Sequence, residues 1–309
     1  MPLPKVTVVG AGQVGATLAF MLLGRELADV VLIDVAEGLP QGKALDMMHA
    51  RSIDRFAPSV LGTNDYADTA GSEIVVITAG LPRKPGMTRD DLLAANTSIV
   101  RSVVEQALQA SPEALFLIVT NPLDVMTYLA WKVSGLPHDR VFGMGGVLDS
   151  ARFSHAIAEH MGVSPASIEA VVCGAHGDAM VPLPSQSLVA GTPVSELLPP
   201  EDIAKVVNRT VYGGAEVVGL LKSGSAFYAP AASVAHTLAA ILGGKRVQLP
   251  SCVYLTGQYG INDVYMSVPA VIGRGGVEEI SEMELSSEEL AMLQASAESI
   301  AESLRALGL

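Results

Sequence analysis

The most constraining feature of this chain lies in its first forty residues. A β-branched run, Lys5–Val9, ends directly on Gly10-Ala11-Gly12-Gln13-Val14-Gly15, and Gln13–Leu27 continues with apolar positions suited to a helix. Gly10 permits a tight turn, Gly12 lets the backbone approach a pyrophosphate, and Gly15 allows the helix to pack closely on its strand. The first helical turn, with Gln13 and Val14, then offers N–H groups and a partial positive charge to phosphates. A second run, Val30–Asp34, ends in a carboxylate 19 residues after Gly15. A carboxylate there accepts both hydroxyls of a ribose and repels a 2′-phosphate. The pattern predicts a dinucleotide site that takes NAD rather than NADP.

The rest of the first half repeats the strand–helix–strand rhythm. Ile74–Thr78, Leu115–Thr120 and Val141–Phe142 read as strands, and Leu92–Ala110 carries Leu93, Ile99, Val100, Val103, Val104 and Ala107 on one broad helical face. Continuous apolar strands alternating with helices predict an α/β fold, a doubly wound parallel sheet covered on both faces. The second half has a different texture. Ser150–Met161 reads as a helix; Ile168–Cys173, Met180–Val181, Cys252–Leu255 and Asp263–Ile272 read as strands; Gly191–Asp202 reads as a surface connection. Ser286 and Glu289 form an S-x-x-E capping box, and Leu290, Leu293, Ala297, Ile300, Leu304 and Leu307 follow as one apolar stripe, so the last helix should dock on the body. A strand ending in glycines near Phe142–Gly146 places the domain boundary there, giving residues 1–143 and 144–309 as two domains.

Composition excludes several classes. Of 309 residues, 19 are Lys or Arg and 32 are Asp or Glu, a formal charge of −13, which argues against nucleic acid and anionic membrane surfaces as partners. Apolar residues make up 50% of the chain but are interrupted every few positions, so no membrane span is expected. The two cysteines, Cys173 and Cys252, make no disulfide framework. The N-terminus carries no evident export signal, and a cytoplasmic protein is expected.

Four further segments look like chemistry. Thr78-Ala79-Gly80-Leu81-Pro82-Arg83-Lys84-Pro85-Gly86-Met87-Thr88-Arg89 begins at a strand's carboxyl end and carries three cations among prolines and glycines, as a loop folding over an anion would. Val119-Thr120-Asn121-Pro122-Leu123-Asp124 ends another strand, and Asn121 can donate and accept there. In Leu148-Asp149-Ser150-Ala151-Arg152, Asp149 and Arg152 share a helical face at i and i+3. Gly174-Ala175-His176-Gly177-Asp178 sets a histidine between glycines, which suggests a tight, exposed turn. The first three have a plain alternative when read alone: a solvated basic loop, a helix cap or turn residue, a surface ion pair. Cys173-x-x-His176 lacks a second ligand pair, so no metal site is expected.

These motifs occur in one order, and in that order the chain resembles the lactate/malate dehydrogenase superfamily, within it the lactate-dehydrogenase-like malate dehydrogenase group. The resemblance implies a Rossmann doubly wound sheet followed by an α+β substrate domain, NAD as cofactor, and a homodimer or homotetramer. It places acid/base work on His176 with Asp149 as its partner, and substrate binding on Arg83, Arg89, Asn121 and Arg152. It places cofactor contacts at Gly10, Gly12, Gln13, Val14, Gly15, Asp34, Thr78, Ala79, Gly80, Asn96, Val119 and Asn121. An arginine at Arg83, ahead of Lys-Pro-Gly, implies a second carboxylate and hence the dicarboxylate pair malate and oxaloacetate. Ala226, aligned where lactate dehydrogenases carry threonine, fits a larger charged substituent. Lactate dehydrogenase, or another 2-hydroxy-acid dehydrogenase, is the nearest alternative on the same scaffold. The NAD-dependent glycosidases need a Cys/His metal site, and Thr120 stands before Asn121 where they would carry cysteine. A scaffold retained without catalysis would have lost some of these side chains.

Overall fold

The computed structural model describes residues 3–81 and 89–309. In chain order the first part contains β1 (Lys5–Val9), α1 (Gln13–Gly24), β2 (Asp29–Ile33), α2 (Leu39–Asp54), β3 (Val60–Thr63), β4 (Ile74–Ile77), α3 (Arg89–Ala110), β5 (Leu115–Ile118), α4 (Leu123–Ser134) and β6 (Val141–Gly143). The second contains α5 (Gly146–Met161), β7 (Ile168–Glu169), β8 (Val172–Gly174), β9 (Met180–Pro182), β10 (Leu188–Val189), β11 (Thr192–Pro193), α6 (Val194–Leu197) and α7 (Pro200–Leu221). It closes with α8 (Tyr228–Leu242), β12 (Val247–Thr256), β13 (Asn262–Gly273), β14 (Gly276–Ile280) and α9 (Ser287–Ala306). Among the described residues, no helix is long and apolar enough to cross a membrane.

Contacts divide the chain into two compact units. The first comprises Met1–Gly143, Phe227–Val247 and Ile272–Glu278. Its strands lie in the order β3-β2-β1-β4-β5-β6, and every pair is parallel. This is the Rossmann order, with its switch point between β1 and β4, where open α/β sheets bind ligands at the strands' carboxyl ends. The strands are apolar throughout because helices cover both faces: Val8, Leu32, Val76 and Leu117 are completely buried. One covering helix arrives from far along the chain. The small, apolar face of α8, with Ala231, Val234, Ala235 and Leu238 buried, packs on α1.

The second unit comprises Met144–Ala226, Gln248–Val271 and Glu279–Leu309. It holds a run β12-β13-β8-β9, antiparallel at β13–β8 and β8–β9, and a small antiparallel sheet β11-β10-β7. Its core joins Phe153 and Ile157 of α5 to Val172, Val189, Val194 and Val206.

Several sequence expectations need correction. Ile168–Cys173 is two strands, because Ile168–Glu169 pairs with β10 while Val172–Gly174 pairs with β9. Between them the Val171 N–H leaves the ladder and donates to Ser187 Oγ at 2.9 Å. Gly191–Asp202 is no surface connection: it contains β11, α6 and the start of α7, and Val194 is fully buried. The helix expected from Ser150 begins at Gly146, since glycines of low helix propensity hide its first turn. The strand expected at Cys252–Leu255 spans ten residues and contains Pro250, a residue that reads against strand in a sequence.

Candidate active site

In the first unit, the carboxyl ends of β1, β2, β4 and β5 bring the expected cofactor residues to one edge of the sheet. The Gly10 N–H donates to the Ile33 carbonyl at 2.8 Å, and its φ of +104° belongs to glycine. A methyl on Gly10 would lie 2.7 Å from Thr78 Oγ1 and 2.8 Å from the Ala79 nitrogen. A methyl on Gly15 would lie 1.9 Å from the Gly10 carbonyl oxygen, so α1 could not sit against the turn. Thr78 Oγ1 backs the turn at 3.0 Å from the Val9 carbonyl and 3.1 Å from that of Gly10. Gly12 differs: among the described residues, and apart from its chain neighbours, a methyl there would meet no atom within 4 Å. No side chain caps α1, and Gln13 and Val14 occupy its first turn. A glycine-lined helix N-terminus with no side-chain cap is what a pyrophosphate requires.

Asp34 follows β2 and is half-buried. Its Oδ2 accepts from the Ala11 N–H at 2.7 Å and its Oδ1 from the Ala36 N–H at 2.9 Å. The carboxylate thus holds the glycine turn and keeps further lone pairs for hydroxyl donors. Beyond β4, Gly80 has space for no side chain, since a methyl would lie 2.6 Å from Thr120 Cγ2. Thr120 Oγ1 donates to the Ala79 carbonyl at 2.7 Å, and the Val119 N–H to that of Ile77 at 2.9 Å. Asn96 is buried on α3. Its Oδ1 accepts from the Leu81 N–H at 2.8 Å, and its Nδ2 donates to the Asn121 carbonyl at 2.8 Å. Asn96 therefore fixes the backbone of two strand-end loops, while the Asn121 side chain is exposed. Arg83 lies outside the described residues. Arg89 is the first residue of α3, and its side chain lies outside what is described.

In the second unit, α5 starts at Gly146 because Gly146 fits against Pro250, where a methyl would lie 2.6 Å from the proline Cβ. Asp149 falls in the first turn of α5, where the helix dipole favours a carboxylate, and is 2% exposed. Its Oδ2 lies 2.8 Å from His176 Nδ1, and its Oδ1 lies 3.2 Å from Arg152 Nη1. A buried carboxylate is thereby paired on both oxygens, the condition for its burial to be tolerated. Ser150 Oγ accepts from the Val172 N–H at 2.9 Å and ties β8 to the same helix. His176 sits in the β8–β9 loop between Gly174 (φ +86°) and Gly177 (φ +127°). The His176 side chain is 13% exposed, while Asp178 in the same turn is exposed. The Asp149–Arg152 pair is drawn inward rather than solvated.

Some neighbours of these residues were not evident in the sequence. Lys43 Nζ donates to the Ala11 carbonyl at 2.8 Å, bracing the glycine turn from α2. Arg152 lies against α7, its Cδ facing Gly213 and its guanidinium Gly214; a methyl on Gly214 would lie 3.3 Å from Arg152 Nη2. A glycine pair inside a helical pattern is a signal of close approach. Ser296 of α9 hydrogen-bonds to the His176 loop; its only mark in the sequence is a hydroxyl on an otherwise apolar stripe. Both cysteines are buried and neither is in a disulfide, and burial, with Glu289 nearby, pushes the Cys173 thiol up to about 12. Among the described residues there is no group of metal-ligating side chains.

Both halves of this arrangement match one family. The family model for the lactate/malate dehydrogenase NAD binding domain matches residues 4–143, and that for its alpha/beta C-terminal domain matches residues 146–307. The chain belongs to the lactate/malate dehydrogenase family, an oxidoreductase family whose cofactor is NAD. Among similar proteins, the malate dehydrogenase of Nostoc punctiforme is 52% identical over 98% of this chain and 92% of its own length. That of Roseiflexus sp. strain RS-1 is 49% identical over 98% of both. Among solved structures, the malate dehydrogenase of Cryptosporidium parvum superposes with a TM-score of 0.96 at 42% identity, covering 99% of each chain. A lactate dehydrogenase of the same organism, solved with lactic acid and nicotinamide adenine dinucleotide, also superposes with a TM-score of 0.96 at 42% identity, covering 100% and 99%. The fold is thus shared by enzymes of both names.

Proposed function

We propose that this chain is an NAD-dependent malate dehydrogenase, catalysing reversible hydride transfer between (S)-malate and NAD to give oxaloacetate and NADH. The observation that carries the mechanism is the buried Asp149 carboxylate, with His176 Nδ1 at 2.8 Å on one oxygen and Arg152 Nη1 at 3.2 Å on the other. The observation that favours the substrate is the name shared by the relatives at about half identity over nearly the whole chain, malate dehydrogenase.

Oxidising a 2-hydroxy acid removes a hydride from C2 and a proton from the hydroxyl oxygen. NAD, when bound, supplies the hydride acceptor. With Nδ1–H donating to Asp149, His176 presents the Nε2 lone pair, which takes the hydroxyl proton as the C2–O bond becomes a carbonyl. Asp149 fixes that tautomer and stabilises the imidazolium that forms. In the reductive direction His176 Nε2 returns the proton to the carbonyl oxygen. Arg152 offers a planar fork to the C1 carboxylate, which sets the face of C2 presented for transfer. Arg89 polarises the carbonyl, Asn121 binds beside it, and Arg83 reads the second carboxylate. With pyruvate, Arg83 would face a methyl group, and a buried unpaired charge costs about 3–5 kcal/mol, a discrimination on the order of several hundredfold or more. Two buried cysteines outside any disulfide fit a reducing compartment such as the cytoplasm. Exposed apolar side chains, Leu45 and Ile53 on α2 and Leu220 on α7, fit assembly as a homodimer or homotetramer.

The decisive experiment measures NADH oxidation with oxaloacetate and with pyruvate, for the wild type, Arg83→Gln and His176→Asn. Preference for oxaloacetate, moving toward pyruvate in Arg83→Gln, supports the assignment. Preference for pyruvate in the wild type overturns it in favour of lactate dehydrogenase on the same scaffold. His176→Asn should lose about 10²–10⁴-fold in kcat while retaining NADH affinity, and near-wild-type turnover would remove His176 from the mechanism.

A further inference from the structure

We infer that Ser296, on the C-terminal helix, is a positioning residue for proton transfer by His176. The inference rests on the acid/base reading of His176 given above. Ser296 Oγ accepts from the Ala175 N–H at 2.8 Å and donates to the Ala179 carbonyl at 2.7 Å. These groups belong to residues one before and three after the histidine, so a single hydroxyl closes the loop that carries the imidazole. A serine hydroxyl has one proton to give, and here that proton and one acceptor lone pair both engage the loop. Gly174 makes room for it: a methyl at that position would lie 2.8 Å from Ser296 Oγ.

Packing alone does not call for a serine at this position. Ser296 is 4% exposed, on the face of α9 that buries Leu293, Ala297, Ile300 and Leu304. Alanine would continue that stripe and is the better helix former. The helix is registered independently one heptad earlier. Glu289 closes the capping box with Ser286 and accepts from Ser185 Oγ at 2.7 Å. Residues 289 and 296 lie on one face, two turns apart. The tie at Ser185 sets where α9 starts, and the hydroxyl at Ser296 transfers that register to the loop. Asp149 aims the imidazole from the other side at 2.8 Å. The imidazole position is therefore determined by two elements distant in sequence, α5 through the ring and α9 through the backbone. Loss of the second leaves the Asp149 hydrogen bond possible while freeing the loop to shift, and sub-ångström to ångström displacements of a reacting group cost up to about a hundredfold.

The test compares Ser296→Ala, Ile300→Val and His176→Asn with the wild type, reading kcat, KM, the pH profile of kcat/KM, NADH affinity and Tm. Ile300 is a core position of the same helix, and its truncation lowers stability without touching a hydrogen bond of the loop. Ser296→Ala is expected to lose about 10- to 100-fold in kcat and to displace the pH profile. NADH affinity should be unchanged, and Ile300→Val should keep wild-type kcat and profile at a comparable loss of Tm. Ser296→Ala turnover within twofold of the wild type, or a loss equal to that of Ile300→Val, overturns the proposal. Should Ser296→Ala fold poorly, Ser296→Cys, of similar volume with a weak donor, is judged by the same criteria. His176→Asn separates the two levels. If it is inactive and Ser296→Ala is normal, only the positioning role fails; if His176→Asn itself is active, the acid/base reading fails.

Discussion

At Gly10 one hydrogen atom in place of a methyl decides whether the β1–α1 turn closes. With φ at +104° and Thr78 Oγ1 at 2.7 Å from any added Cβ, Gly10→Ala must open the turn. Strain of this kind costs about 1–3 kcal/mol, so NADH affinity should fall about 5- to 150-fold and Tm should drop with it. Gly12 makes the contrast. A methyl there meets no atom of the other described residues within 4 Å beyond its chain neighbours, so Gly12→Ala should leave Tm near wild type and still weaken NADH, because the methyl occupies the approach to the helix N-terminus. Fluorescence titration and thermal melts of both variants check the pair, and unchanged NADH affinity in Gly12→Ala would remove that glycine from the cofactor cradle. The glycine spacing is legible in a sequence. That Gly10 answers to Thr78 is not, because that neighbour comes from a strand paired across the sheet.

Among the elements, α7 shows how a helix can trade stability for a site. Gly213 and Gly214 cost a helix interior about 0.5–1 kcal/mol each relative to alanine. They do so where the Arg152 guanidinium lies against the helix. Gly214→Ala should therefore raise Tm while pushing Arg152 by a few tenths of an ångström and raising KM for the 2-oxo acid. A more stable variant with unchanged KM would show that Arg152 does not depend on that gap. The α9 terminus carries a different signal. Burial opposes charge on Glu289, but hydrogen bonds from Ser185 and Ser286 outweigh it and hold the carboxyl below its ordinary 4.5. A depressed pKa adds stability that is present above the unfolded value and fades as pH falls through the folded one. The Tm deficit of Glu289→Gln should be constant from pH 8 to about 5 and shrink below about 4.5. A deficit that stays constant to pH 3.5 would mean that the charge contributes nothing. The capping box was legible from Ser286 and Glu289 alone, since it is local. The partner Ser185, 104 residues away, was not.

For the molecule as a whole, the first unit is discontinuous in sequence. Its long segment ends at Gly143, yet α8 and the segment Ile272–Glu278 belong to it. A fragment of residues 1–143 would leave the surface of α1 that α8 covers, in a protein where Leu18 and Leu22 are fully buried, open to water. Such a fragment is expected to bind a hydrophobic dye and to melt without cooperativity; a sharp transition would show that the segment folds without α8. From residues 1–309 alone, the parallel sheet, the glycine turn after β1 with an acid closing β2, the capping box and the motif set around His176, Asp149 and Arg152 could all be read. Each depends on short-range patterning: period, glycine spacing, a residue at a strand end. Tertiary structure alone decided that Ile168–Cys173 splits between two sheets, that Val194 is core, that Asp149 is buried with a partner on each oxygen, and that Ser296 reaches the histidine loop. Those outcomes depend on which distant segments share a hydrogen bond or a volume. Sequence spacing does not encode that, because burial and pairing are settled only when the whole chain is packed.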